Sequence, residues 1–183
     1  MRFVLARHCQ TNWNLEYRIQ GHIDIILNDA GRSQAIDLGV KLRPFGITRI
    51  ISSTLSRASE TATLVAKNLN PESLSVPVHF DKRLRECCYG RLEGLTHKQV
   101  EVMHGKQWVI MDRTKRNFDF SSFGGENREE VKKRHLEFFN EVSYKYRWDT
   151  ILLVGHGGSL SILLTALGFE PKIEQGNFMV IEV

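Results

Sequence analysis

Residues 150–155, Thr-Ile-Leu-Leu-Val-Gly, carry apolar side chains at successive positions rather than at alternate ones. A strand with one wet face alternates; a continuous apolar run has to be covered on both faces. This stretch therefore calls for helices above and below a sheet, and the rest of the chain is laid out to supply them. A short apolar strand is predicted over 2–7. A helix follows over 30–43, with Ala35, Leu38 and Leu42 at helical spacing and Pro44 with Gly46 to stop it. Residues 48–53 read as a second strand. Residues 55–69 read as a helix with Ala58, Ala62, Val65 and Leu69 on one face. Val76–Phe80 is a third strand after a turn at Asn70-Pro71. Residues 81–125 are irregular, with short helical pieces at Lys98–Met103 and Gln107–Met111. A long helix over 127–147, a helix over Gly157–Leu167 and a last strand over Phe178–Val183 complete the chain. Strands separated by helices pair in parallel. The expected fold is α/β: a three-layer α/β/α sandwich with a mostly parallel central sheet and a small cap-like insertion about 81–125.

A length of 183 residues is enough for one domain, 1–183, with a proper core. No apolar stretch approaches the length of a membrane span. The run Phe3-Val4-Leu5-Ala6 is too short for a signal peptide and ends at once in Arg7 and His8. No membrane is expected as a partner, and a cytoplasmic location is the default. The three cysteines include the adjacent pair Cys87-Cys88, whose neighbours-in-sequence geometry strains a bridge, so reduced thiols are expected. A net charge of +4 raises nucleic acid as a partner. No recognition motif accompanies it, and Lys132, Lys133 and Arg134 share their helix with Glu129, Glu130 and Glu137, so no nucleic acid is expected. Oligomeric state leaves no mark in the sequence.

In open α/β sheets ligands bind beyond the carboxyl ends of the strands. Arg7-His8 leaves the first strand there. Ser53-Thr54-Leu55-Ser56-Arg57 leaves the second, and Gly155-His156-Gly157-Gly158-Ser159 leaves the apolar run. Two arginines, two histidines and two helix N-termini thus meet at one edge, a set that favours phosphate or carboxylate. Each piece also has a plain structural use. A histidine at a strand end can be a hydrogen-bonded surface residue, Gly157-Gly158 can serve a tight turn, and Arg57 can pair with Glu60 on its own helix.

Taken in order, these pieces resemble a known family. Arg7-His8 with Thr11, Trp13 and Asn14 is similar to the Arg-His-Gly-Glu-Thr-x-Trp-Asn signature of the histidine phosphatase superfamily, the phosphoglycerate mutase-like proteins. Gln20-Gly21, Asp24, Leu27 and Gly31 match the stretch that follows. Ser53, Leu55, Arg57, Ala58, Glu60, Thr61 and Ala62 match a second motif, and Leu84-Arg85-Glu86 with Tyr89-Gly90 and Glu93-Gly94 a third. Gly124-Gly125-Glu126 and Val154-Gly155-His156-Gly157-Gly158 match the last two. The resemblance covers nearly the whole chain.

That resemblance implies that His8 is a nucleophile forming a phosphohistidine. It implies that Arg7, Arg57 and His156 hold the phosphoryl oxygens. Glu86 is the implied proton donor and then base, which requires its carboxyl to begin protonated. Asn14, Gln20, Gly21, Tyr89 and Gly157 are implied to line the phosphate and substrate side. No metal and no cofactor is implied. The departure is Cys9, where the family usually has Gly. A cysteine-dependent phosphate loop needs Arg where this chain has Leu15, and it needs glycines that are missing, so Cys9 is not read as a nucleophile. It is expected to pack as a small side chain. If a positive φ is required there, Cys9 would strain the loop. Oxidation of a thiol beside the nucleophile is a second reading.

The implied activity is that of a metal-independent histidine acid phosphatase-type hydrolase acting on a small phosphorylated metabolite. The alternatives are phosphoglycerate mutase-type transfer and a catalytically weak phosphate-binding regulator. Mutases of the family carry a longer insertion between the segments matched by Glu86 and Gly125. They also tend to have Lys where this chain has His97. The cap, about 97–123, is expected to set substrate choice. Trp108, Phe118, Phe120 and Phe123 either line it or pack beneath it, and Arg113, Lys115 and Arg116 are candidates to meet a second anionic group.

Overall fold

β1 (Arg2–Arg7) sends Phe3 and Leu5 to one face and Val4 and Ala6 to the other, and all four are fully buried. The period of two along a strand forces this split. The structure, a computed structural model, describes residues 1–70, 76–108 and 118–183. Within them β2 (Arg49–Ser53) pairs in parallel with β3 (Val78–Asp81) and with β4 (Thr150–Gly155), and β4 pairs in parallel with β1. β5 (Phe178–Glu182) runs antiparallel to β1. The order across the sheet is β3-β2-β4-β1-β5.

The helices are α1 (Asn12–Leu15), α2 (Asp29–Leu42), α3 (Ser56–Leu69), α4 (His97–His104), α5 (Arg128–Lys145) and α6 (Gly157–Ala166), of which α2, α3, α5 and α6 cover the sheet. Leu38 and Leu42 of α2 and Ala58, Ala62 and Val65 of α3 cover Val4, Ile50, Leu152 and Val154 on one face. Phe138 and Phe139 of α5 and Leu160 and Leu163 of α6 cover Phe3, Leu5, Ile151 and Leu153 on the other. β4 is thus buried on both sides, as its apolar run requires. Leu152 and Leu153 lie in opposite cores, and truncating either to Ala would cost about 2–5 kcal/mol. The α/β sandwich with a mostly parallel sheet is the observed architecture.

Local chemistry sets the helix starts. Asn28 caps α2 by accepting from Gly31 N–H at 2.8 Å, and Asn127 with Glu130 forms a capping box on α5. α1, which periodicity does not reveal, is one turn held by a Thr11–Asn14 capping box. β5 departs from the parallel rule for a topological reason. After α6 the chain climbs back to the ligand edge, where residues 171–175 lie, so its last strand has to run downward. A third cluster, including Cys87, Tyr89, Leu92, Val100, Phe118 and Phe120, sits under the insertion. The turn expected at Asn70-Pro71 and the helical piece at Gln107–Met111 fall partly outside the described residues. No helix among the described residues is long and apolar enough to cross a membrane.

Candidate active site

The last pair of the β1–β4 ladder is Arg7 with Gly155. The next residue of each strand is a histidine, so the register itself brings His8 and His156 side by side, with ring centroids 5.2 Å apart. His8 N–H donates to Gly155 O at 2.9 Å, which fixes the turn out of the strand. The His8 ring lies with Nδ1 2.7 Å from the carbonyl oxygen of Cys9. A carbonyl only accepts, so Nδ1 carries the proton and Nε2 keeps its lone pair. Burial, then the Arg57 and Arg7 charges, hold the His8 pKa well below the ordinary histidine value. His8 is therefore a neutral imidazole with one defined free nitrogen. His156 is fully buried, and its pKa is also held well below the usual value by burial, Arg57 and His8 in that order. Neither of its ring nitrogens has a partner.

Arg57 enters from the first turn of α3. Leu55 at the cap position offers no side chain, and Asp24 caps instead, accepting from Ser56 N–H at 2.6 Å and Ser56 Oγ at 2.7 Å. The Arg57 side chain is almost wholly buried and donates to Gly21 O at 2.7 Å and Ile23 O at 3.0 Å. Burial lowers its pKa to about 10, with Glu86 and Asp24 opposing, so it keeps its charge at neutral pH. The simpler use of Arg57, a pair with Glu60, does not occur. Glu60 accepts instead from Arg32 at 2.7 Å. Gly157 makes room for Arg7, because a Cβ there would lie 3.0 Å from the Arg7 Cζ and Nε. The Nε atoms of Arg7 and Arg57 and the Oε1 of Gln20 are buried without partners. Buried polar groups left in this state cost about 1–3 kcal/mol each, and two donors and one acceptor of this kind lie around one cavity.

Glu86 is held by backbone N–H groups on both carboxyl oxygens. Its Oε1 accepts from Ser159 N–H at 2.8 Å and Cys87 N–H at 2.9 Å, and its Oε2 from Gly158 N–H at 3.0 Å. Three backbone donors, two of them from the α6 N-terminus, thus hold its two oxygens. Its carbonyl oxygen accepts from His22 at 2.9 Å and from Arg134 at 2.9 Å.

Arg7, His8, Asn14, Gln20, Gly21, Arg57, Glu86, Tyr89 and Gly157 all line one cavity of about 540 Å³. His156 is the predicted site residue that does not reach its wall; it stands behind the His8 ring. Asn14 Oδ1 already accepts from Thr11 N–H at 3.0 Å and from Gln175 at 2.5 Å, leaving its amide N–H₂ as the group to offer a ligand. Glu93 was legible only as part of a motif. Its carboxylate accepts from the backbone N–H of Tyr89, His22 and Ile23, clamping the 86–90 segment to the Gly21 turn. Gly21 has φ +51° and the Glu93 side chain lies where its Cβ would be, so no other residue fits. The wall also includes His97, the first residue of the expected cap, and Trp13, Tyr17, Arg18 and residues 171–175, which sequence reading did not place there. For 171–175 the signal was tertiary: the segment reaches the edge only because β5 must start there.

Cys9 is fully buried beside Thr61, whose Oγ accepts from Cys9 N–H at 3.1 Å. Burial raises its thiol pKa to about 11. The feared backbone strain does not arise, since among the described residues Tyr17 is the only non-glycine with a positive φ. Phe118 and Phe120 are fully buried and stack with centroids 5.1 Å apart, and Trp108 packs edge-on to Phe123 at 4.7 Å. These rings pack beneath the insertion and do not line the cavity. Arg113, Lys115 and Arg116 lie outside the described residues.

Comparison with known proteins matches this geometry to a family. The model of the histidine phosphatase superfamily (branch 1) matches residues 3–178. The chain is 34% identical over 168 residues to a 2,3-bisphosphoglycerate-dependent phosphoglycerate mutase of Nitrobacter winogradskyi, covering 90% of this chain and 79% of that one. It is 33% identical over 174 residues to a glucosyl-3-phosphoglycerate phosphatase of Mycolicibacterium vanbaalenii, covering 91% and 73%. Among solved structures, Bacillus stearothermophilus YhfR superposes with a TM-score of 0.85 at 30% identity, covering 100% of this chain and 91% of that one. A pocket with a histidine and two arginines at the carboxyl edge of a mostly parallel sheet, matched from Phe3 to Phe178, therefore has a family: the chain belongs to the histidine phosphatase superfamily, branch 1.

Proposed function

We propose that the chain is a metal-independent phosphatase that hydrolyses a small phosphomonoester through a phosphohistidine on His8. The observation that carries the reading is the His8 ring itself: Nδ1–H tied to Cys9 O at 2.7 Å, Nε2 left with its lone pair, and two arginines beside it. In the proposed first step Nε2 attacks phosphorus, an N–P bond forms and the P–O bond to the leaving group breaks. Arg7 and Arg57, with donors at Nε that lack partners, hold the equatorial oxygens, and His156 backs the His8 ring, its centroid 5.2 Å away. Asn14 offers its amide, while Gln20, Gly21, Tyr89 and Gly157 shape the remaining wall.

Glu86 gives the leaving oxygen its proton. Since its carboxylate rests on three N–H donors, that proton arrives with the substrate, whose phosphate monoanion carries one. In the second step water attacks the phosphohistidine, Glu86 takes the water proton, the N–P bond breaks and His8 returns neutral. The insertion makes the pocket's outer wall in part through His97, and the small molecules that fit it are phosphorylated metabolites. A cytoplasmic setting with reduced thiols accords with a buried Cys9 and Cys87.

A mutase-type phosphoryl transfer is the second reading, favoured by the mutase named among the relatives. His97 in place of a carboxylate-binding Lys supports hydrolysis instead. The test is p-nitrophenyl phosphate hydrolysis in excess EDTA by wild type, His8→Ala and Cys9→Gly. The phosphatase reading expects activity that survives EDTA and Cys9→Gly and is lost in His8→Ala. Isomerisation of phosphoglycerate without net phosphate release would favour the mutase. Phosphate protection against melting with no turnover of any ester would favour a binding-only protein.

A further inference from the structure

α1 ends in a way its sequence makes costly. Arg18 N–H donates to Trp13 O at 2.9 Å and Tyr17 N–H donates to Asn14 O at 3.2 Å. Those two bonds define a Schellman ending, which puts its next-to-last residue in the left-handed region and favours Gly there. The residue is Tyr17, at φ +53°. A tyrosine in this conformation carries a steric penalty that glycine avoids. Burial does not offset it, because Tyr17 is 71% exposed. The backbone needs the turn, since Tyr17 O accepts from His97 N–H at 3.1 Å, but it does not need the ring. Tyr17 also lines the cavity that holds His8, Arg7 and Arg57.

We propose, resting on the phosphomonoester reading above, that Tyr17 is a specificity-determining residue whose ring stacks on a flat, uncharged ring in the leaving group of the substrate. The surroundings favour that chemistry over a second anion. Arg18 lies 2.7 Å from the Glu16 carboxylate and donates to Gly94 O at 2.6 Å, and Lys172 lies 2.7 Å from Glu174. The cations at the mouth, among the described residues, are thus already matched, while Arg7 and Arg57 serve the inner end. The Trp13 ring has the Arg18 guanidinium over it at 5.5 Å, and Tyr89 is buried, whereas Tyr17 is the most exposed of these aromatic side chains. Pro171 and Ile173 add apolar surface to the same cavity. A flat ring could belong to an aryl ester or to a nucleoside monophosphate; the stacking chemistry is shared.

The experiment measures binding separately from turnover. Calorimetry gives Kd for phenylphosphonate and methylphosphonate with wild type, Tyr17→Gly and Tyr17→Phe, and melting gives Tm for each. Wild type is expected to prefer the phenyl compound by about three- to tenfold. Tyr17→Gly should erase that preference while raising Tm by about 2–4 °C as the turn relaxes. Tyr17→Phe should keep it. Equal binding of both phosphonates by wild type, or an undiminished preference in Tyr17→Gly, overturns the proposal alone. Failure of both compounds to bind overturns the phosphomonoester reading and this proposal with it. Comparing kcat/KM for p-nitrophenyl phosphate, adenosine 5′-monophosphate and 3-phosphoglycerate then distinguishes aryl from nucleobase. A higher value for ring-free 3-phosphoglycerate than for both ring esters overturns the proposal.

Discussion

His8 and Cys9 are adjacent, and either atom could have been a nucleophile. Their surroundings separate them. Burial and then arginine charge keep His8 neutral, whereas burial pushes the Cys9 thiol up to about 11, far from thiolate. Iodoacetamide at about pH 8 should leave Cys9 unmodified and activity intact until the protein is unfolded; labelling of Cys9 with loss of activity would contradict this. The sign of the His8 shift also makes a prediction. Protonation removes the Nε2 lone pair, and a lowered pKa postpones it, so kcat/KM should not fall as pH is lowered through about 6.5. A pH–rate profile that drops with an apparent pKa near the ordinary histidine value would refute it. Gly157 is a third residue whose use is spatial. Gly157→Ala would press on the Arg7 guanidinium and should lower kcat/KM about tenfold with little change in folding, read by steady-state kinetics and melting.

Elements carry these residues to one edge, and this level was the most legible in the sequence. The apolar run 150–155 and the helices at 30–43 and 55–69 announce themselves by period, and the strand ends then fix where Arg7, His8, Arg57 and His156 meet. What was illegible depends on contacts between elements. α1 is too short to show a period, residues 171–175 reach the site through topology, and the Glu93 clamp joins two loops that neither loop's sequence connects. Arg134 of α5 belongs to the same class. It donates to the carbonyl oxygens of Arg83 and Arg85, each at 2.7 Å, and to Glu86 O, while pairing with Glu126 at 2.8 Å. Arg134→Leu strips the bonds that hold the Glu86 segment and leaves a carboxylate unpaired. It should cost about 3 kcal/mol of stability and reduce kcat, measured by denaturant unfolding and kinetics.

Across the whole molecule three histidines are buried and neutral: His8, His156 and His135, the last with a pKa lowered to about 3 by burial first and then by Arg134. In the unfolded chain each takes a proton near pH 6.5; in the folded chain each resists. The unfolded state therefore binds more protons on the acid side, and stability must fall as pH drops below about 6.5. With all three still neutral the slope reaches about 4 kcal/mol per pH unit. Unfolding by urea between about pH 7.5 and 5.5 should show this loss, and His135→Leu should reduce its slope by about a third. The same three side chains tie acid sensitivity to function, because two of them form the centre of the site. The central claim is the covalent one, that His8 carries the phosphoryl group. It is tested most directly by quenching the enzyme during turnover of a phosphomonoester and locating the phosphate by mass spectrometry. An acid-labile, base-stable phosphate on His8, absent from His8→Ala, is the predicted result; a phosphate on Cys9, or turnover by wild type with no phosphoenzyme trapped, would contradict it.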